Sequence, residues 1–432
     1  MPGYYSLLKK RTADAFNPKS WFTPIVIYSM IVFLACFGDA IMSYIAPVVV
    51  EEHVSNTLMM GIIVAFSSVV GFICDFLFSQ WFRGKYYSFF MVLTFLFALL
   101  FPASFIFAPP IVATFLFAMA AWGVYFEFMQ FSHFHFIHTF VQKDQHAQSW
   151  GFLESIISLA YLLGPILATR LIDLHADAPH YGALAFFTSG MFGLFLFMRT
   201  HRKHHEAAKL QLTTEKKSRF HELMLWKTLG KRIWPIYLFL FSMILVDSAF
   251  WTVGTLASEE LRQSHVIGGY LIPISSLPAL FMAVVVGKLA QPFGKKRAAF
   301  LSGLFGGATL FAIILSDNIW YVMGIVLLSS IFQAIARPEI YAVLEDYVAR
   351  LGKNGNDLVG LQNSAASAAY VAGPIISGFL ADRFGNLHAL GVIGGTFAVT
   401  SFLALILVPR KVKMPQTELT ILDQNTSTTH TA

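Results

Sequence analysis

Residues 151–166 read GFLESIISLAYLLGPI, and residues 360–375 read GLQNSAASAAYVAGPI. Eight residues recur at one offset of 209: Gly151, Ser155, Ser158, Ala160, Tyr161, Gly164, Pro165 and Ile166 return as Gly360, Ser364, Ser367, Ala369, Tyr370, Gly373, Pro374 and Ile375. Nearly the same offset holds far upstream. Asp39 precedes the pair Glu51 and Glu52 by twelve residues, and Asp247 precedes Glu259 and Glu260 by twelve. Ser67 and Ser68 return as Ser275 and Ser276, 208 positions on. Helix packing favours small residues but imposes no common offset on distant segments. Tandem duplication does, so the chain reads as two copies of one unit.

Composition says what that unit is made of. Of 432 residues, 56% are hydrophobic, 16% aromatic and only 12% charged, against about a quarter charged in a soluble domain. The 44 Phe exceed what one water-surrounded core hides. Apolar runs of about twenty residues follow one another, each long enough to cross about 30 Å of hydrocarbon as a helix. The runs are continuous and lack period-two alternation, which excludes membrane strands. Cys36 and Cys74 lie inside apolar runs and serve as small fillers, with no disulfide framework or metal site.

The spacing predicts an all-α integral membrane protein with spans at about 22–50, 58–80, 86–108, 110–140, 148–172, 181–199, 233–257, 266–289, 298–316, 319–346, 357–381 and 386–409. The expected organisation is a cytoplasmic tail (1–21), a six-helix bundle (22–199), a cytoplasmic linker with an interfacial helix (200–232), a second six-helix bundle (233–409) and a disordered cytoplasmic tail (410–432). Residues 1–21 carry charge and Pro without a small-residue cleavage site, so they read as a retained tail and not a signal peptide. In the linker, Phe220, Leu223, Met224 and Trp226 among basic residues suggest a helix lying on the inner leaflet. With both termini inside, 25 of the 30 Lys and Arg fall on the cytoplasmic side, which sets the orientation by the positive-inside rule. The net charge of +6 is spread over these links and forms no nucleic-acid patch.

Residues 287–297, GKLAQPFGKKR, resemble the G-x-L-a-D-r-x-G-r-k-r loop of the major facilitator superfamily, with Gln291 at the position of the acid. The corresponding link of the first half keeps Arg83, Gly84 and Lys85, with Trp81 at the acid position. Residues 378–385, GFLADRFG, are also familiar in that family. Its antiporters carry G-x8-G-x3-G-P-x2-G-G on span 5, where this chain has Gly151, Ala160, Gly164, Pro165, Ala168 and Thr169. The resemblance implies two pseudo-symmetric bundles that rock about a midplane site, with spans 1, 4, 7 and 10 lining the cavity. It also implies hinge or gate roles for Gly164, Pro165, Gly373, Pro374, Gly294 and Lys295, and shared close packing is the alternative for the Gly-Pro pairs.

An ionised side chain at the bilayer centre costs at least about 2.5–3.5 kcal/mol on the insertion scale, so such residues face protein or water. The deep ones are Asp39, Glu127, Asp247, Arg337 and Glu339, all on those four spans. Carboxyls at this depth are groups that take and release protons near neutral pH, which makes Asp39 and Asp247 candidates for proton coupling. A structural carboxylate at a kink is the alternative. Arg337 stays charged and needs an anionic partner. With Gln333 and Tyr341 at i±4 it is expected to face the cavity, touching substrate or bridging to Glu127. Glu339, two residues on, points elsewhere. Glu127 shares its face with Gln130, and Asp75 is a possible gate in span 2. His133, His135 and His138 point three ways around span 4 and make no metal site.

The resulting expectation is a secondary active transporter, with protons, the lipid bilayer and a small organic compound as its partners. It would work as a monomer in the cell membrane, without cofactor. Proton-coupled antiport, hence efflux, leads, because of the span 5 pattern and the excess of deep acids. Proton-coupled uptake by symport is the alternative, favoured by Arg337. A non-translocating sensor on the same fold is the rival of another class. No P-loop, metal motif or nucleophile elbow points to an enzyme.

Overall fold

The computed structural model describes residues 22–81, 87–141, 145–200, 219–290, 294–351 and 355–409. The two tails, the basic part of the linker, Gln291 and Arg83–Lys85 lie outside the described residues. Within them every regular element is helical. This is the expected solution for an apolar chain, because a helix satisfies its own backbone donors and acceptors without water.

The first six spans are α1 (Phe22–Val54), α2 (Thr57–Trp81), α3 (Tyr87–Phe107), α4 (Val112–Phe140), α5 (His146–Ile172) and α6 (Ala178–Thr200). Then come α7 (Arg219–Phe250), α8 (Val253–Ser264), α9 (Leu271–Ala290), α10 (Lys295–Phe311), α11 (Ile319–Leu351), α12 (Gly355–Phe384) and α13 (Asn386–Leu407). Among the described residues eleven segments are long and apolar enough to cross a membrane, with α7 and α8 counted together. The eighth span, α9 behind a short 3-10 turn, contributes the shorter apolar segment Val266–Met282.

Span 7 departs from its expected bounds. Its helix starts at Arg219 and passes a kink at Ile233 (φ −125°, ψ 16°), two residues before Pro235. A proline inside a helix removes one backbone donor and clashes with the carbonyl four residues back, so the helix bends there instead of ending. Residues 219–232 of the linker are therefore helix joined directly to the span. Large apolar side chains such as Phe72, Phe117, Phe192, Phe281 and Phe402 remain more than half exposed, as hydrocarbon-facing surface does.

The chain divides into two compact units. The first holds the residues up to His53 and those from Phe66 through α6; the second holds Val54–Ala65 together with α7 to α13. In the first, α3 packs on α4 and α6, and Tyr28 stacks on Phe136 at 3.8 Å between ring centroids, with Tyr87 edge-on to both. In the second, α10 packs on α11 and α13, and α12 on α7, around Phe239, which meets Phe300 and Phe397.

The duplication is visible in how each unit closes. A Cβ at Gly164 of α5 would lie 2.4 Å from the Cβ of Ala40 on α1. One at Gly373 of α12 would lie 2.4 Å from Oγ of Ser248 on α7. At both places glycine is what lets two helices touch, and each contact falls one residue beyond Asp39 or Asp247.

Candidate functional site

Asp39 is fully buried. Two neutral donors hold its carboxyl: the indole Nε1 of Trp122 on α4 donates to Oδ1 at 2.7 Å, and the hydroxyl of Tyr161 on α5 donates to Oδ2. Trp122 is fixed in turn by stacking on Phe101 of α3, at 5.2 Å and 9° between planes. The close α1–α5 contact at Gly164 brings Tyr161, almost one turn earlier on α5, over the carboxyl. Among the described residues no Lys, Arg or His makes an ion pair with Asp39.

Asp247 has the same arrangement with one partner changed. The hydroxyl of Tyr370 on α12 donates to Oδ2 at 2.7 Å, and Nη2 of Arg337 on α11 donates to Oδ1 at 2.7 Å. Tyr161 and Tyr370 are the repeated tyrosines of the GPI segments. Trp122 and Arg337 are not repeat mates, since at an offset of 208 or 209 Arg337 aligns with Met129 or Phe128. The two sites also differ in access. The side chains of Arg337 and Asp247 are 47% and 24% exposed, whereas Asp39 is sealed.

The other candidates fall around these two. Arg337 pairs with Asp247, where a bridge to Glu127 was one expectation, because α7 carries Asp247 within hydrogen-bond reach in the same unit. Glu339 is buried on the opposite side of α11, with one carboxyl oxygen lacking a hydrogen bond. Glu127 is half-buried against Gly71 of α2, and Gln130 is exposed. Gln333 donates to Ser329 Oγ within α11 at 3.1 Å. Tyr341 lines a cleft of about 330 Å³ between α11 and α12, with Glu345 and Gln362. Gly294 (φ +76°) precedes α10, whose first residue, Lys295, pairs with Asp346 at 2.9 Å. Pro165 and Pro374 sit inside continuous helices. The side chains of Asp75 and His138 are outside what is described. His133 is buried and hydrogen-bonded through Nδ1 to the hydroxyl of Tyr28, and His135 stacks on Phe90.

Trp122, Tyr161 and Tyr370 were not among the residues expected at the site. The tyrosines had a signal: they recur in the repeat three residues before Gly-Pro. Trp122 had none, since one Trp among apolar residues of a span reads as packing.

Two helical units, each with a carboxyl held where three helices meet, make a polytopic helical fold of the membrane-spanning type. The chain belongs to the Major Facilitator Superfamily, whose profile matches residues 28–291 and 236–427. It is 29% identical over 146 residues, 34% of this chain and 35% of the relative, to the multi-drug resistance efflux pump PmrA of Streptococcus pneumoniae. It is 24% identical over 237 residues, 54% of this chain and 57% of the relative, to the class H tetracycline resistance protein of Pasteurella multocida. The chain thus spans about a third to somewhat over half of the length of these curated relatives. Among solved structures it resembles the human organic anion transporter MFSD10 (TM-score 0.59, 16% identity, 90% of this chain and 100% of the other). It also resembles a peptide transporter, POT, solved with sulfate (TM-score 0.67, 14% identity, 90% and 94%). At these identities the structures establish the fold.

Proposed function

We propose that this chain exports a small organic compound by proton-coupled antiport, with Asp39 as the proton-exchanging group. One observation carries the reading: of two carboxyls at repeated positions, Asp247 has a guanidinium beside it and Asp39 has only neutral donors. Protonating Asp247 would strand the charge of Arg337 in the membrane. Protonating Asp39 removes a charge that has no counter-ion among the described residues. A carrier that couples proton flux to substrate flux needs a group whose charge changes with each cycle, and Asp39 is built for that. The relatives described as a multi-drug efflux pump and a tetracycline resistance protein support export. So does the antiporter-like small-residue pattern around Gly164 and Pro165, with matching flexibility assigned to Gly373 and Pro374. On this reading both termini are cytoplasmic, the protein works as a monomer in the cell membrane, and Glu127 is the reserve proton site.

A second reading rests on the exposure of Arg337. A half-exposed guanidinium offers free donors to an anionic group, which suits proton-linked uptake of an anionic solute.

Reconstituted vesicles test both. With an imposed pH gradient and a panel of lipophilic cations and organic anions, wild type should move protons against substrate. Asp39→Asn keeps the size of the side chain and loses the titration. It should abolish gradient-driven accumulation and leave downhill exchange. Full pH-driven transport by Asp39→Asn would overturn the assignment, and co-directional proton and anion movement would favour the second reading.

A further inference from the structure

The helix α2 starts in one unit and finishes in the other. Its first turn is capped from far along the chain. Asp382, near the end of α12, accepts the backbone N–H of Thr57 through Oδ1 at 2.8 Å and that of Leu58 through Oδ2 at 3.0 Å. The first N–H groups of a helix have no partner within it, and a carboxylate there is favoured by both charge and hydrogen bonding. A local cap is already present, since Asn56 Oδ1 accepts from Met59 N–H at 2.7 Å. Asp382 therefore does more than finish a helix end: it ties α2 to α12.

Two backbone crossings flank the tie. A Cβ at Gly378 would lie 2.4 Å from the carbonyl oxygen of Thr57, and one at Gly61 would lie 2.1 Å from that of Pro374. Neither place accepts a side chain. Asn386, four residues past Asp382 and the first residue of α13, donates to Glu260 of α8 at 2.6 Å. From Ser67 onward, α2 packs instead on Gly123 of α4 in the other unit.

We infer that Asp382 is a positioning residue for the transport cycle. It latches the outer end of α2 onto α12, and it releases two N–H groups each time the outer side opens. This rests on the alternating-access reading above. Outer means the non-cytoplasmic face under the positive-inside orientation.

The test uses Thr57→Cys as a reporter in the full-length protein, with Cys36 and Cys74 replaced by Ala. The side chain of Thr57 is 8% exposed, and its backbone, not its side chain, makes the bond, so the reporter spares the latch. A membrane-impermeant maleimide is added to intact cells. Asp382→Ala should raise the labelling rate at least about tenfold, the factor for one lost charge-assisted hydrogen bond. Asp382→Asn, which keeps an acceptor, should give a smaller rise. Gly61→Val should raise it with Asp382 intact, by wedging the crossing. Parental labelling in Asp382→Ala and Gly61→Val would overturn the latch, whether or not transport falls. If Asp382→Ala does not accumulate, the Asn variant decides by the same measure. A response only to reagent trapped inside would overturn the outer placement. Labelling needs neither substrate nor pH gradient, so the outcomes separate: a raised rate in a protein that shows no proton-driven flux sinks the exporter reading and keeps the latch. Parental labelling with intact proton-driven flux does the reverse.

Discussion

The Asp39 and Asp247 sites occupy repeated positions in the two halves of the chain. Each aspartate sits on the first helix of its copy, and each takes a hydroxyl from a tyrosine three residues before a Gly-Pro pair. They now differ in the third partner and in exposure: an indole in a sealed setting for Asp39, a guanidinium in an open one for Asp247. The aspartate and tyrosine are shared between the halves, and the third partner comes from non-equivalent positions of α4 and α11. On the proposed reading Asp39 carries the exchanged proton, and Asp247 serves to pair Arg337.

The largest expected effect comes from breaking the ion pair. Arg337→Leu leaves Asp247 without its cation in a span, at a cost of at least about 2.5 kcal/mol on the insertion scale. Expression and transport should both fall sharply. Adding Asp247→Asn to Arg337→Leu should restore expression, read as the yield of monodisperse protein. No second-site neutralisation should be needed for Asp39→Asn. If Arg337→Leu expresses normally, the pair is not structural and Arg337 is free for substrate.

The tyrosines come next. Tyr161→Phe removes one of the two donors at Asp39, worth about 1.5–3 kcal/mol for a hydrogen bond to a charged group. It should move the pH midpoint of transport. Tyr370→Phe leaves the Arg337 contact and should change the pH profile little while weakening substrate binding. Equal shifts from both would erase the distinction between the sites.

A smaller effect is expected at the helix contacts. Gly164→Ala pushes a methyl into Ala40, and overpacking of this kind costs about 1–3 kcal/mol. Ala40→Gly should recover the lost thermal stability. Gly373→Ala should be recovered by Ser248→Gly, and failure of both rescues would mean that the Gly-Pro pairs serve bending and not contact.

The fold was legible because it depends on long-range counts. Span length and the common offset between the halves both survive without side-chain detail. That Asp39, Asp247 and Arg337 lie within long helices was legible for the same reason. Their partners were not. Whether Arg337 meets Asp247 or Glu127 depends on which helix faces α11, and periodicity is silent on that when a span is apolar all round. Trp122 was invisible because its N–H matters only once α4 is placed beside α1. The helix running through Pro235 was not legible, since span 7 was expected to start at 233 and a proline can end a helix or bend it. The tie between Asp382 and the start of α2 joins residues 325 apart, which no local pattern reveals.

Infrared pH-difference spectroscopy of the purified protein in lipid measures the central claim without a known substrate. A buried carboxyl that gains and loses a proton gives a carbonyl band that rises and falls with pH. The account predicts such a band in wild type and in Asp247→Asn, and its loss in Asp39→Asn. A band that persists in Asp39→Asn and vanishes in Asp247→Asn would contradict it, and would move proton exchange to the half that holds Arg337.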